Sequence, residues 1–139
     1  MECKKFDTTW IVRIDKGEEL VEKLMEFAKD NGIQLASVSG IGAADRIEIG
    51  LFDTTQKKYF SNILTDDHEI TNINGNISTK DGSPYLHLHI TLANHDNKAF
   101  GGHLSSAVIS GTCELVIREI NGALNRKFDD HSGLNLFEF

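Results

Sequence analysis

The hydrophobic pattern of this chain changes period at Gly32 and does not change back. Ahead of that point Leu20, Leu24, Phe27 and Ala28 recur at helical spacing with Val21 and Met25 beside them, so an amphipathic helix is expected over 17–31. Asp15 with Glu18 three residues on has capping-box spacing, and Asn31-Gly32 supplies a left-handed stop. Before the helix, Trp10, Val12 and Ile14 alternate within 9–14 and read as a first strand. After Gly32 the apolar runs follow the two-residue period of strands at 33–39, 43–53, 57–64, 69–78, 85–93, 103–110 and 112–119. Turn chemistry separates them at Thr54-Thr55-Gln56, Thr65-Asp66-Asp67, 80–84 and Asn121-Gly122. One helix followed by a long succession of strands excludes an alternating βαβ plan. It predicts a compact α+β fold on an antiparallel-rich sheet.

A chain of 139 residues without a composition break fits one domain, 1–139, around a single core. Apolar residues at 40% and charged residues at 25% exclude disordered and fibrous classes, and no apolar stretch is long enough to span a bilayer. Glu2, Lys4, Lys5 and Asp7 precede any apolar run, which excludes a secretory signal and makes the cytoplasm the expected compartment. Cys3, in a start that reads as mobile, and Cys113, in a strand-like run, give neither a disulfide framework nor a metal spacing. The net charge of −7 repels a polyanion unless basic groups gather on one face. The densest basic spots, Lys4-Lys5, Lys57-Lys58 and Arg126-Lys127, are pairs and read as solvated surface. The apolar end, with Leu134, Leu136, Phe137 and Phe139, is expected to pack on the domain or on a neighbouring subunit.

Chemistry concentrates in Leu86-His87-Leu88-His89-Ile90. The strand period puts Leu86, Leu88 and Ile90 on one face and both histidines on the other, about 7 Å apart. Two imidazoles so placed can share a cation. His103 follows, and the intervening loop 94–100 can bring its strand back beside the first. Gly101-Gly102 lets the backbone approach closely or take positive φ there. Three neutral imidazoles with an open fourth position suit Zn²⁺, and nickel or iron less specifically. His68, His95 and His131 read as surface residues, with His95 the one near enough in sequence to be a reserve ligand.

Other motifs carry less. Gly40-x-Gly42 lacks the third glycine of a dinucleotide fingerprint and precedes a strand, so it reads as a tight strand-to-strand bend. No phosphate loop or nucleophile elbow is present. Glu48, Glu69 and Glu114 would be general bases or fourth ligands only if they faced the histidines, and read first as solvated strand residues. Asn76-Ile77-Ser78 matches a glycosylation triplet that has no meaning without secretion.

Several blocks together resemble the plants-and-prokaryotes-conserved (PPC) domain in its stand-alone prokaryotic form, to which a DNA-binding label is often attached. They are Ile11-Val12-Arg13-Ile14-Asp15-Lys16-Gly17-Glu18 with its helix, Val38-Ser39-Gly40-Ile41-Gly42-Ala43, and Glu69-Ile70 leading to Asn74-Gly75-Asn76-Ile77-Ser78. Asp81-Gly82-Ser83-Pro84-Tyr85-Leu86-His87-Leu88-His89 and Gly101-Gly102-His103-Leu104 follow. The last two blocks are the most specific. The resemblance implies an antiparallel-rich α+β domain that forms a homotrimer, with His87, His89 and His103 meeting at a divalent-metal site, zinc first. Such a site would bind or transform a small molecule, and a coordinated water acidified by zinc would open hydrolytic or lyase-type chemistry. The alternative is a DNA-binding or regulatory homotrimer. Plant relatives carry a basic AT-hook with an Arg-Gly-Arg-Pro core ahead of this domain; here Pro84 is the only proline and no such core occurs. Cupins also use His-x-His with a later His, but their motif has a Glu after the second His, where this chain has Ala93 and Asn94.

Overall fold

The helix forms where the apolar stripe predicts it, but starts later than the cap spacing suggests. In the computed structural model, which describes residues 1–139, α1 spans Leu20–Asp30 with Glu19, not Asp15, as its N-cap. Gly17 sits at φ +86°, a left-handed conformation that no helix begun at Asp15 could contain. The capping-box contact exists all the same: the Glu18 carboxylate accepts from the Asp15 N–H at 2.9 Å and holds the turn ahead of the helix. Glu19 then accepts from the N–H groups of Val21 and Glu22, at 3.1 and 2.7 Å, and from the distant Ala107 N–H at 2.7 Å. The start is therefore set partly by a tertiary contact. At the other end Gly32 takes φ +63°, with Ile33 N–H donating to the Ala28 carbonyl and Gly32 N–H to the Lys29 carbonyl. These paired bonds make the expected Schellman stop.

The strands are β1 (Glu2–Phe6), β2 (Thr9–Asp15), β3 (Ala36–Asp53), β4 (Lys58–Leu64), β5 (His68–Lys80), β6 (Ser83–Ala93), β7 (Ala99–Glu119), β8 (Arg126–Asp129) and β9 (Leu134–Phe137). Between residues 33 and 119 they are fewer and longer than the turn residues imply, five where seven are expected, while β1, β8 and β9 lie outside the expected runs. Strands expected separately at 33–39 and 43–53 are the single β3, and those at 103–110 and 112–119 the single β7. Gly40 and Gly42 flank a bulge, not a bend between strands. A Cβ on Gly40 would stand 2.7 Å from the Glu114 carbonyl oxygen, and one on Gly42 2.7 Å from Cys113 Cα. The glycines serve the close approach of β3 to β7. The start that reads as mobile is β1, paired along its length with β2.

The ladders close on themselves. β3 pairs with β7 from Ala36↔Glu119 to Gly50↔His103, and its other edge holds β5 and then β4. β5 holds β6, and β6 returns to β7 through His89↔His103 to Ala93↔Ala99. Every ladder of this seven-stranded sheet is antiparallel, with β2 and β1 extending from the second half of β7. The closed ring removes most free strand edges. Its inward residues, among them Ile47, Ile73, Ile77, Leu88, Ile90 and Leu92, form one core with Leu20, Leu24 and Phe27 of α1. Each fully buried side chain of this size contributes about 1.5–3 kcal/mol relative to exposure. Phe27 meets Trp10 of β2 edge-on, ring centroids 5.1 Å apart. β8 and β9 form a separate two-stranded sheet, so the apolar end does pack on the rest of the chain.

Gly75 of β5 gives a direct test of how tightly the ring is drawn. A Cβ there would enter the His87 carbonyl oxygen and stand 2.9 Å from Leu88 Cα, both backbone atoms of β6. Gly75→Ala is expected to lower the free energy of unfolding by about 3 kcal/mol, the upper part of the usual overpacking range, read from the urea midpoint. A change inside about 0.5 kcal/mol would show that the two strands part freely at this point.

Candidate metal centre

On β6 the strand period turns Leu88 and Ile90 into the core and leaves His87 half-buried and His89 exposed on the other face. Register supplies the rest. Asn76 of β5 lies opposite His87, and His103 of β7 lies opposite His89. The three imidazoles form a near-equilateral triangle with ring centroids 5.3, 5.5 and 5.6 Å apart. Each offers one ring nitrogen within 4.8 Å of the other two. The Tyr59 hydroxyl approaches the His103 carbonyl oxygen at 3.5 Å and Ser105 Oγ at 3.0 Å, leaving the ring nitrogens themselves uncommitted. Of the two roles open to Gly101 and Gly102, close approach is the one they fill: a Cβ on either would stand 2.8 Å from a carbonyl oxygen of β6 or β3.

This donor set fits a cation. A tetrahedral zinc with Zn–N of 2.0–2.1 Å needs ligand nitrogens roughly 3.4 Å apart, within reach of modest side-chain rotation from the observed triangle. Burial, more than any neighbour, pushes His87 down from its ordinary value to about 4, and the positive charge of Arg126 adds to it, with smaller effects from His103 and His89. His103 is lowered by burial and then by His89. Neutral imidazoles with free lone pairs are what a metal requires.

Beside the triangle opens a cavity of about 340 Å³ walled by Leu51 and Phe52 of β3, Tyr59 of β4, and Leu134 and Leu136 of β9. Arg126 of β8 lines it as well. Expected to be a solvated surface residue, Arg126 is instead 5% exposed. Its guanidinium donates to Ser78 Oγ at 2.8 Å, the Asn135 carbonyl at 2.8 Å and Asn76 Oδ1 at 2.9 Å. Tyr85 and Phe137 lie on it with ring centroids 4.8 and 4.1 Å from its Cζ. The Asn76-Ile77-Ser78 triplet thus has a structural use: the strand period puts Asn76 and Ser78 on one face, where both receive the guanidinium. That spacing was visible in the sequence; its partner fifty residues on was not.

The remaining candidates lie elsewhere. Glu48, Glu69 and Glu114 are absent from the cavity wall and from the triangle. His95 is largely exposed and pairs with Asp96 at 3.3 Å, so it is no ligand of this cluster. His131 is exposed. His68, expected at the surface, is buried at 6% exposure, with Nδ1 2.5 Å from the Asp66 carbonyl oxygen and its ring edge-on to Phe100. Cys113 is also buried, and burial pushes its thiol up to about 12, consistent with an unreactive bystander.

The His87 shift has a pH signature. Its folded value lies below its unfolded one, so between about pH 6.5 and 4 the unfolded chain binds more protons, and stability present above that window is lost as pH falls through it. Metal-free protein is expected to lose thermal stability across this window, and His87→Gln to flatten part of the slope. An imidazole resonance of His87 titrating near pH 6.5 by NMR would contradict the burial of the site.

Residues 1–121 match the family described as the Plants and Prokaryotes Conserved (PCC) domain. Among solved structures, a "putative DNA binding protein" from Bacteroides thetaiotaomicron superposes with a TM-score of 0.97 at 36% identity, covering 99% of this chain and 96% of that one. A metal-containing protein from Archaeoglobus fulgidus gives 0.89 at 36% identity over 99% and 96%. A plant- and prokaryote-conserved protein from Pyrococcus horikoshii gives 0.87 at 31% over 99% and 94%. A curated relative, the bifunctional protein GlmU of Synechococcus sp. (strain JA-3-3Ab), is 29% identical over 110 residues, which are 78% of this chain and 16% of that protein. Because the matched span carries the helix, the closed ring of strands and all three histidines, the chain belongs to the PCC domain family.

Proposed function

We propose that this PCC-domain protein binds a divalent metal ion, zinc before other cations, at His87, His89 and His103 and takes a small molecule into the adjoining cavity. The observation that carries the reading is the convergence of three uncommitted imidazoles from two strands, ring nitrogens within 4.8 Å, at the edge of an apolar-walled cavity. Three neutral nitrogen donors and no carboxylate suit zinc better than magnesium or calcium, which call for oxygen. A cation held there supplies Lewis acidity. The chain's own residues do the remainder: burial favours the neutral form of His87 and His103, and Leu51, Phe52 and Leu134 give the cavity an apolar wall. The metal-containing relative from Archaeoglobus fulgidus supports the assignment.

In this reading residues 1–139 are one domain that works in the cytoplasm as a homotrimer. No helix is long and apolar enough to cross a membrane. Support for self-association comes from Phe6, Ile11, Ile41 and Val116, exposed at 52%, 44%, 59% and 39% on adjoining strands β1, β2, β3 and β7. An apolar patch of this kind marks a contact surface. A second reading, binding to DNA, is favoured by the name of the Bacteroides thetaiotaomicron relative. The net charge of −7 weighs against it, since affinity for duplex rests on phosphate neutralisation.

Protein purified without an affinity tag is expected to carry close to one zinc per chain by plasma mass spectrometry. His87→Ala and His103→Ala should each weaken zinc binding by more than the roughly 10–100-fold that losing an outer-shell partner costs. A parent protein without stoichiometric metal under zinc-replete growth would sink the reading. Sedimentation equilibrium is expected to give three times the 15.5 kDa chain mass. No duplex mobility shift is expected even at low salt, where phosphate contacts are strongest; a clear one would favour the second reading.

A further inference from the structure

The positive charge of Arg126 is buried without a counter-charge. The ion pairs of the chain run through Asp15, Glu18, Glu119, Glu2, Glu26, Asp81 and Asp96, and none reaches this guanidinium. Its three protein acceptors are a hydroxyl, an amide oxygen and a carbonyl, all neutral. Three of its five N–H donors are used in that way, which leaves two. A guanidinium remains charged at any physiological pH, and although Tyr85 and Phe137 stack on it, every group that holds it is neutral, so no anion balances its charge. The wall it shares with the three histidines contains no Asp or Glu, so the only fixed charge facing the cavity is positive.

We infer that this cavity takes an organic anion, a carboxylate on an apolar body, with Arg126 holding the carboxylate and the β8–β9 hairpin supplying part of the apolar wall. The inference rests on reading the cavity as a small-molecule site. A planar guanidinium fork matches a carboxylate in shape as well as charge. The walls choose the body: Leu51, Phe52, Leu134 and Leu136 offer nothing to a heavily hydrated ligand, and about 340 Å³ corresponds to roughly eleven water volumes, space for a ring or a short chain. A cation at the histidines would add positive charge to the same cavity, so the preference for an anion does not depend on the metal for its sign. Arg126, Leu134 and Leu136 all lie on the β8–β9 hairpin, beyond residues 1–121 that match the PCC domain.

Isothermal titration calorimetry with benzoate and its neutral isostere benzamide tests this, on the untagged full chain in metal-free and zinc-loaded forms. Benzoate is expected to bind at least about tenfold more tightly than benzamide in both forms. Arg126→Met, which keeps an unbranched stem and removes the charge, should abolish the preference while far-UV circular dichroism stays unchanged. If that variant fails to fold, the metal-free parent still decides. Equal affinity for the two probes there, or binding of neither, overturns the inference, as does a folded Arg126→Met that keeps the preference. A preference confined to the zinc-loaded form overturns the role of Arg126 but leaves the metal reading standing. A preference that persists in a protein unable to bind zinc supports the anion and removes the metal.

Discussion

The register between β6 and β7 is the constraint on which the histidine triangle depends. His89 faces His103 across that ladder, and a slip of one residue would turn His103 into the core and Leu104 out of it. The slip is resisted by the same alternation that makes the site. Leu88 and Ile90 flank His89, Leu104 follows His103, and all three are core residues. His89 therefore sits between two such anchors and His103 beside one, each of which would lose about 1.5–3 kcal/mol if the register moved. The site is held by hydrophobic packing on the opposite side of the strands that carry it.

That packing is possible because β3 and β7 run side by side for nearly their full lengths and bend together. Each has two partners on its outer edge, β5 and β4 for β3, β2 and β6 for β7. Exchange of partners halfway along lets the ladders return to themselves. Register shifts at Gly42/Ala44, Ala44/Arg46 and Glu48/Ile49 mark where the pair turns. Bulges bend strands and increase local twist, so these irregularities bring the early part of β7 round to meet β6.

The parts legible in the sequence were those that depend on local period. Helix identity, its Schellman stop, the antiparallel-rich sheet and the facing of His87 with His89 all follow from repeats of 3.6 or 2. What was not legible depends on partners far along the chain. Glu19 caps α1 while accepting from Ala107, a pairing that no local spacing announces. From its neighbours alone Gly40-x-Gly42 reads as a bend, whereas both glycines mark interstrand closeness inside a continuous strand. Arg126 reads as surface because it forms a basic pair with Lys127; its burial comes from Tyr85, Phe137, Asn76 and Ser78, which reach it only once β8 docks on β5. His68 likewise reads as surface from its acidic turn, and its burial comes from a distant partner, Phe100 of β7.

The electrostatics of the cavity separate the two classes of partner more sharply than net charge does. Recognition of duplex DNA draws on many cations spread along the phosphate spacing of the helix, on a surface the duplex can reach. Arg126 is one cation, 5% exposed, sandwiched between two aromatic rings at the wall of a cavity. A phosphate backbone cannot enter such a space, whereas the terminal group of a small molecule can. The same charge helps keep His87 unprotonated, so the buried guanidinium and the imidazoles reinforce each other: each lowers the tolerance of the cavity for a further cation in the form of a proton. A site of neutral nitrogen donors beside an unpaired guanidinium is short of negative charge by construction. The simplest way for it to reach balance is for the molecule it binds to bring that charge.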